Sequence, residues 1–193
     1  MKIILASNSP RRKELLNQLG LNFDIIPADI DETLDADYSP YDAALITAEK
    51  KARHICSSVQ EDCIIIAADT LVAIDNQILG KPENNDHAKE MLSLIQGKKH
   101  TVFTGVSLVC KSGGMVREKS FVESADVFIA ELSDSEIEKY IKTGEPSDKA
   151  GAYAAQGIGA LFVERVEGDF FAVVGLPMAR LRRELKEFDF DFL

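Results

Sequence analysis

A short apolar run, Ile3-Ile4-Leu5-Ala6, stands directly before Ser9-Pro10-Arg11-Arg12. The run reads as a buried strand. Ser9 followed by Pro10 reads as a helix N-cap with proline at the first helical position. Leu15, Leu16 and Leu19 continue a helical stripe that Gly20 closes. Arg11, Arg12 and Lys13 therefore fall in the first turn, where the helix dipole is already positive. Such crowding of positive charge is accepted more readily if an anion sits there. A strand, a tight turn and a helix N-terminus with forked guanidinium donors suit a phosphate. A solvated basic first turn explains these residues equally well.

The rest of the chain mixes strand and helix signals without a linker or repeat. Asn22 to Pro27 reads as a second strand, followed by an acidic loop from Asp29 to Asp37. Ser39-Pro40 opens a helix, with Asp42 placed as in a capping box and a stripe of Ala44, Leu45, Ala48, Ala52 and Ile55. Cys63 to Ala68 is continuously apolar, as in a strand buried on both faces. Val72 to Ile74 and Gln77 to Leu79 flank Asp75-Asn76 as a hairpin. Ala88, Met91, Leu92 and Ile95 mark a helix stopped by Gly97. His100 to Val109 and Met115 to Ile129 read as long antiparallel strands around Ser112-Gly113-Gly114. Ser133 with Glu136 forms a capping box for a helix ending at Gly144. Strand character resumes from Ile158 to Val166, and a last helix runs from Pro177 to about Phe188 with Leu181 and Leu185 inward. The expected fold is α/β with a mixed sheet, because the long hairpin argues against a purely parallel one.

Composition narrows the function. The 193 residues carry a net charge of −10, which would repel a nucleic-acid polymer but leaves room for a small anion in a basic cleft. Cys56, Cys63 and Cys110 are odd in number and lack CxxC spacing, which suits a reducing cytoplasm better than disulfides or zinc. The N-terminal apolar run is too short for a signal peptide. No run approaches the roughly 20 residues of a membrane span. The expectation is a cytoplasmic protein with no membrane contact.

Several residues suit chemistry. Asp69-Thr70 stands at the end of the strand Cys63–Ala68, where α/β proteins often place ligand contacts, although a turn residue would look the same. Glu32 lies with Asp29 and Asp31 in the acidic loop. One of them could share a divalent cation with Asp69, against the simpler reading of a solvated loop. Gly80-Lys81-Pro82 holds a lysine in a rigid turn, either on phosphate or at the surface. Of Lys50 and Lys51, one faces solvent and the other, beside Ala48 and Ala52, can line a cleft. His100 suits a structural role. Asp148 to Gly159 is rich in Gly and Ala, so backbone can approach a ligand, and Gln156 could read a base edge. No Walker loop, Gly-x-Ser-x-Gly elbow or HExxH is present.

Together these segments resemble the Maf family of nucleotide pyrophosphatases, also called septum-formation inhibitor proteins. The resemblance rests on Ala6-Ser7-Asn8-Ser9-Pro10-Arg11-Arg12, Glu32, Ala48 to Ala52 with Lys51, Ala67-Ala68-Asp69-Thr70 and Gly80-Lys81-Pro82. It continues through Thr104-Gly105, Asp148 to Tyr153, Gln156-Gly157, Gly168-Asp169 and Gly175-Leu176-Pro177. It covers nearly the whole chain and implies one domain over 1–193. Ala155 and Ala172 depart from the family's usual residues.

The resemblance implies a two-lobed, inosine triphosphate pyrophosphatase-like architecture with a central cleft. It implies hydrolysis of a nucleoside triphosphate to the monophosphate and pyrophosphate, with a divalent metal cation (Mg, Mn or Co). Asp69 would be the general base or position the metal, and Glu32 would be a metal ligand. Ser9, Arg11, Arg12, Lys51 and Lys81 would bind the triphosphate. Thr70 and Gln156, with Arg12, match the branch acting on dTTP and UTP rather than 7-methyl-GTP. Similar proteins are often homodimers. A nucleotide-binding regulator of cell division, with incidental hydrolysis, is the competing reading. A nucleotidyltransferase is a third, without a second-substrate motif to support it.

Overall fold

The computed structural model describes residues 1–33 and 38–191. Asp35 and Asp37, the end of the expected acidic loop, lie outside the described residues. The chain divides into two compact units, each assembled from separated segments. The first comprises Met1–Asp69, Thr104–Glu123 and Gly175–Leu193, and the second comprises Thr70–Phe103 and Ser124–Val174.

In the first unit, β1 (Lys2–Leu5) pairs in parallel with β2 (Asp24–Ile25) and with β3 (Cys63–Ile74). Leu5 is opposite Ile25 on one side and Ile66 on the other. Parallel neighbours need crossover connections. Here α1 (Pro10–Gln18) and α2 (Pro40–Ser58) supply them. Ser9 caps α1 and Ser39 caps α2, each accepting a backbone N–H from the first turn. Leu15 and Leu16 are buried, but Leu19 is the C-cap and is exposed, so the expected stripe ends one residue sooner.

A core of Ile4, Ala6, Ala52, Ile55, Cys63, Ile65, Ala67 and Val109 fills one side of these strands. The alanine stripe of α2 permits close approach to β5 (Lys99–Ser112). A Cβ on Gly105 would lie 2.2 Å from the Ala44 carbonyl oxygen, so only glycine fits under the helix. β5 turns through Gly113-Gly114, both at positive φ, into β6 (Met115–Ile129). Such a two-residue connection makes the pair an antiparallel hairpin.

In the second unit, the far end of β3 folds back on β4 (Gln77–Leu79) through Asp75-Asn76, with φ of 50° and 65°. The hairpin arm and the buried run Cys63–Ala68 are thus one strand. Asp69 lies inside it rather than at its end, because the ladder with β4 carries the chain straight on. The helices α3 (Asn85–Ile95) and α4 (Asp134–Lys142) bury Met91, Leu92, Ile95, Ile137 and Tyr140 in a common core with Val102 and Val127. Ser133 and Glu136 form the expected capping box. β7 (Val163–Gly168) pairs antiparallel with β6 and leads into a short helix, α5 (Phe170–Val174), which the sequence did not suggest.

The segment Ile158–Phe162 is a 3-10 turn, not the start of the strand. Its first amides are taken by a carboxylate rather than by a neighbouring strand. The final helix, α6 (Met178–Lys186), buries Leu181 and Leu185 in the first unit. The hydrogen-bonded strand order is β2-β1-β3-β5-β6-β7 with β4 on β3. Among the described residues, parallel and antiparallel pairs coexist in this seven-stranded sheet, which is the mixed α/β class expected.

Candidate functional site

The N-terminus of α1 is built by its own short side chains. Ser9 Oγ accepts the Arg12 N–H, and Ser7 Oγ accepts the Ser9 N–H at 3.2 Å. Arg12 is buried, not solvated. Its Nε donates to the Gly175 carbonyl at 2.8 Å and its Nη1 to Ser7 Oγ at 3.0 Å. Burial lowers its pKa; Asp69 and Glu32 pull the other way, while Arg11 adds to the lowering. A guanidinium stays charged under such strain. Arg12 therefore braces the turn against the Gly175-Leu176-Pro177 segment. Arg11 sits half-buried one residue earlier.

In the same unit a lysine joins two carboxylates. Lys51 is on the buried face of α2, while Lys50, one helical step away, is exposed. The Lys51 Nζ lies 2.7 Å from Asp69 Oδ1 and 2.8 Å from Glu32 Oε1. The Lys51 and Asp69 side chains are only 10% and 13% exposed, whereas that of Glu32 is 56% exposed. Two carboxylates meet one ammonium here, and the Arg12 guanidinium lies close enough to feel both acids. The two carboxylates meet at Lys51 Nζ, and both offer oxygen donors of the kind a hard divalent cation takes. Among the described residues no group of three or more His, Cys, Asp or Glu side chains could hold a metal. A cation at Glu32 and Asp69 would therefore complete its shell with substrate oxygens and water.

The second unit holds the remaining candidates. Thr70 is half-buried, and Lys81 and Gln156 are exposed. The Gly80 carbonyl accepts the Gly151 N–H at 3.0 Å, tying the lysine turn to the Ala-rich segment. Gly151, at φ 67°, presses against Val72, where a Cβ would come within 3.0 Å. Within this segment Tyr153 is buried against His100, with Oη 2.8 Å from Nε2. Burial pushes the His100 pKa down to about 4 despite the nearby Asp126. His100 is thus the structural residue expected.

Two contributors had no signal of their own in the sequence. Glu145 accepts hydrogen bonds from Tyr140 Oη at 2.7 Å, the Ile158 N–H at 3.0 Å and the Gly159 N–H at 2.8 Å. Tyr140 Oη accepts the Ala154 N–H at 3.1 Å. Both residues look like ordinary helix-end positions until the loop after them is placed. Asp169 caps α5, its Oδ1 accepting the Phe171 N–H at 2.8 Å, so the buried Ala172 need not hold that loop with a polar side chain.

Comparison with known proteins finds relatives along the whole length of the chain. A dTTP/UTP pyrophosphatase of Lachnoclostridium phytofermentans is 47% identical, with 100% of this chain and 98% of that protein covered. A dTTP/UTP pyrophosphatase of Caldicellulosiruptor saccharolyticus is 48% identical over 100% of this chain and 97% of that protein. Among solved structures, a nucleoside-triphosphatase / dITP/XTP pyrophosphatase from Mycobacterium abscessus superposes with a TM-score of 0.44 at 15% identity. It covers 97% of this chain and 96% of that one. The segments that hold Arg12, the Lys51 cluster and Gln156 all fall within residues 2–188, which match the family described as Maf-like protein, and the chain belongs to that family.

Proposed function

We propose that this chain hydrolyses dTTP and UTP to the nucleoside monophosphate and pyrophosphate. The observation that carries the reading is the Lys51 ammonium bonded to both Glu32 and Asp69, in a chain alike along its full length to proteins named dTTP/UTP pyrophosphatase.

Water attacks the α-phosphorus, the P–O bond to the β-phosphate breaks, and pyrophosphate leaves. Asp69 accepts the proton of the attacking water, and Lys51 fixes the orientation of that carboxylate. Arg11, Arg12, Lys51 and Lys81 offset the charge of the triphosphate, the main electrostatic task in such chemistry. Ser9 holds the helix N-terminus that presents its amides to phosphate. Thr70 and Gln156 select the base. Glu32 and Asp69 would hold a divalent cation, which when bound supplies further charge neutralisation on the phosphates. The three cysteines are free, which fits work in a reducing cytoplasm. No helix among the described residues is long and apolar enough to cross a membrane.

The test is a pyrophosphate-release assay with dTTP, UTP, CTP and 7-methyl-GTP, with and without Mg²⁺. Release is expected with the two pyrimidine nucleotides, and Asp69→Asn should lose most turnover while remaining folded. Nucleotide binding without release from any triphosphate would overturn the enzyme reading in favour of a regulator. A clear preference for 7-methyl-GTP would overturn the base assignment. Near wild-type turnover in Asp69→Asn would remove Asp69 from its role.

A further inference from the structure

Gln156 is exposed, on a loop whose other side chains are small (Ala154, Ala155, Gly157 and Gly159) or, at Ile158, exposed themselves. Such a loop cannot fix a side chain by packing, so its shape must come from elsewhere. It comes from one carboxylate. Glu145 Oε1 accepts the Ile158 N–H, and Glu145 Oε2 accepts the Gly159 N–H together with the Tyr140 hydroxyl. The same hydroxyl accepts the Ala154 N–H. The backbone is thereby pinned on both sides of Gln156, two residues before it and two and three residues after it. The fit is close. Gly157 lies at φ 89°, and a Cβ there would sit 2.3 Å from Glu145 Oε1.

We infer that Glu145, relayed through Tyr140, is the positioning residue that holds Gln156 in its base-selecting conformation. The inference rests on the reading that Gln156 selects the base. The chemistry requires a carboxylate. Each of its oxygens receives a backbone N–H, so an amide of the same shape would turn its own NH₂ group against one of those donors. Burial opposes the charge on Glu145. The bonds from Tyr140, Gly159 and Ile158, with Lys149 nearby, outweigh that opposition and hold the carboxyl below the usual range. The brace is therefore in place throughout the neutral range.

The experiment compares Glu145→Gln, Tyr140→Phe, Gln156→Ala and the Glu145→Gln/Gln156→Ala double variant of the full chain. For each, kcat and KM are measured on UTP, dTTP and CTP, and amide exchange is followed at residues 157–159. Glu145→Gln is expected to lower the kcat/KM preference for UTP over CTP by about tenfold, chiefly through KM. It should also speed exchange at Ile158 and Gly159. Tyr140→Phe should do the same to a smaller degree, and serves if Glu145→Gln does not fold. In the double variant the preference should fall no further than in Gln156→Ala alone, because the two residues act as one unit. If Gln156→Ala alters the preference while Glu145→Gln and Tyr140→Phe leave it unchanged, the inference is overturned and the base reader stands. If Gln156→Ala itself leaves the preference unchanged, both fall.

Discussion

Acidification should cost this protein stability through His100 in particular. The imidazole is 2% exposed, its Nε2 meets Tyr153 Oη at 2.8 Å, and its Nδ1 makes no hydrogen bond among the described residues. Burial pushes its pKa down to about 4, against about 6.5 in an unfolded chain. Between those values the unfolded state binds a proton that the folded state does not. Stability from this residue is therefore complete above about pH 6.5 and is lost as pH falls towards 4, with no further loss below. At about 1.4 kcal/mol per pH unit, the full loss is about 3 kcal/mol. The assay is urea unfolding of wild type and His100→Gln, an uncharged replacement that can still meet Tyr153, at intervals from pH 7 to pH 4. Carboxylates contribute alike to both proteins, so the difference between the two curves isolates the histidine. Wild type should lose about 3 kcal/mol more than the variant over the interval. Parallel curves would refute the claim that burial keeps this imidazole neutral.

Two further substitutions probe the first unit. Gly105→Ala places a Cβ 2.2 Å from the Ala44 carbonyl oxygen, a backbone atom that cannot swing aside, so it should cost about 3 kcal/mol or more in urea unfolding. Because α2 also carries Lys51, turnover should fall with it, and an unchanged unfolding midpoint would show that the helix has room to shift. Arg12→Lys keeps the charge but cannot serve the Gly175 carbonyl and Ser7 Oγ with one planar fork, so it should lose about 1 to 2 kcal/mol of stability and much of the turnover. Wild-type behaviour on both counts would mean that the fork geometry is irrelevant.

What could be read in advance was whatever is decided locally. Ser9-Pro10, Ser39-Pro40 and Ser133 with Glu136 satisfy helix N-termini within a few residues, and Asp75-Asn76 sets its own turn. The alternation of parallel crossovers and hairpins followed from these pieces. Leu19 and the short helix α5 depart for local reasons, but the larger departures are settled at a distance. Asp69 looked like a strand end because the next polar residue follows it, yet pairing with β4 extends the strand to Ile74. Ile158 to Phe162 looked like a strand because its residues are apolar, yet Glu145 takes the first amides. Arg12 could equally be solvated or bound until its acceptor, 163 residues along the chain, was in place. The ammonium between Glu32 and Asp69 is a further case, since helical spacing singles out Lys51 over Lys50 but cannot say which acid meets it.

That distance between Arg12 and Gly175 has a bearing on how the protein is made. Synthesis proceeds from the N-terminus, and at about 5–20 residues per second the carbonyl that accepts the Arg12 guanidinium is made roughly 10–30 s after the arginine itself. Leu181 and Leu185, which α6 buries in the same unit, are made later still. The apolar strands β1 and β3 are complete long before, so the nascent chain must carry them without their finished surroundings. A polypeptide released before Gly175 would present the first unit without the Arg12–Gly175 bond and with part of its core open. Translation of this message therefore favours uninterrupted completion, and truncated products should be found with chaperones and proteases rather than as folded fragments.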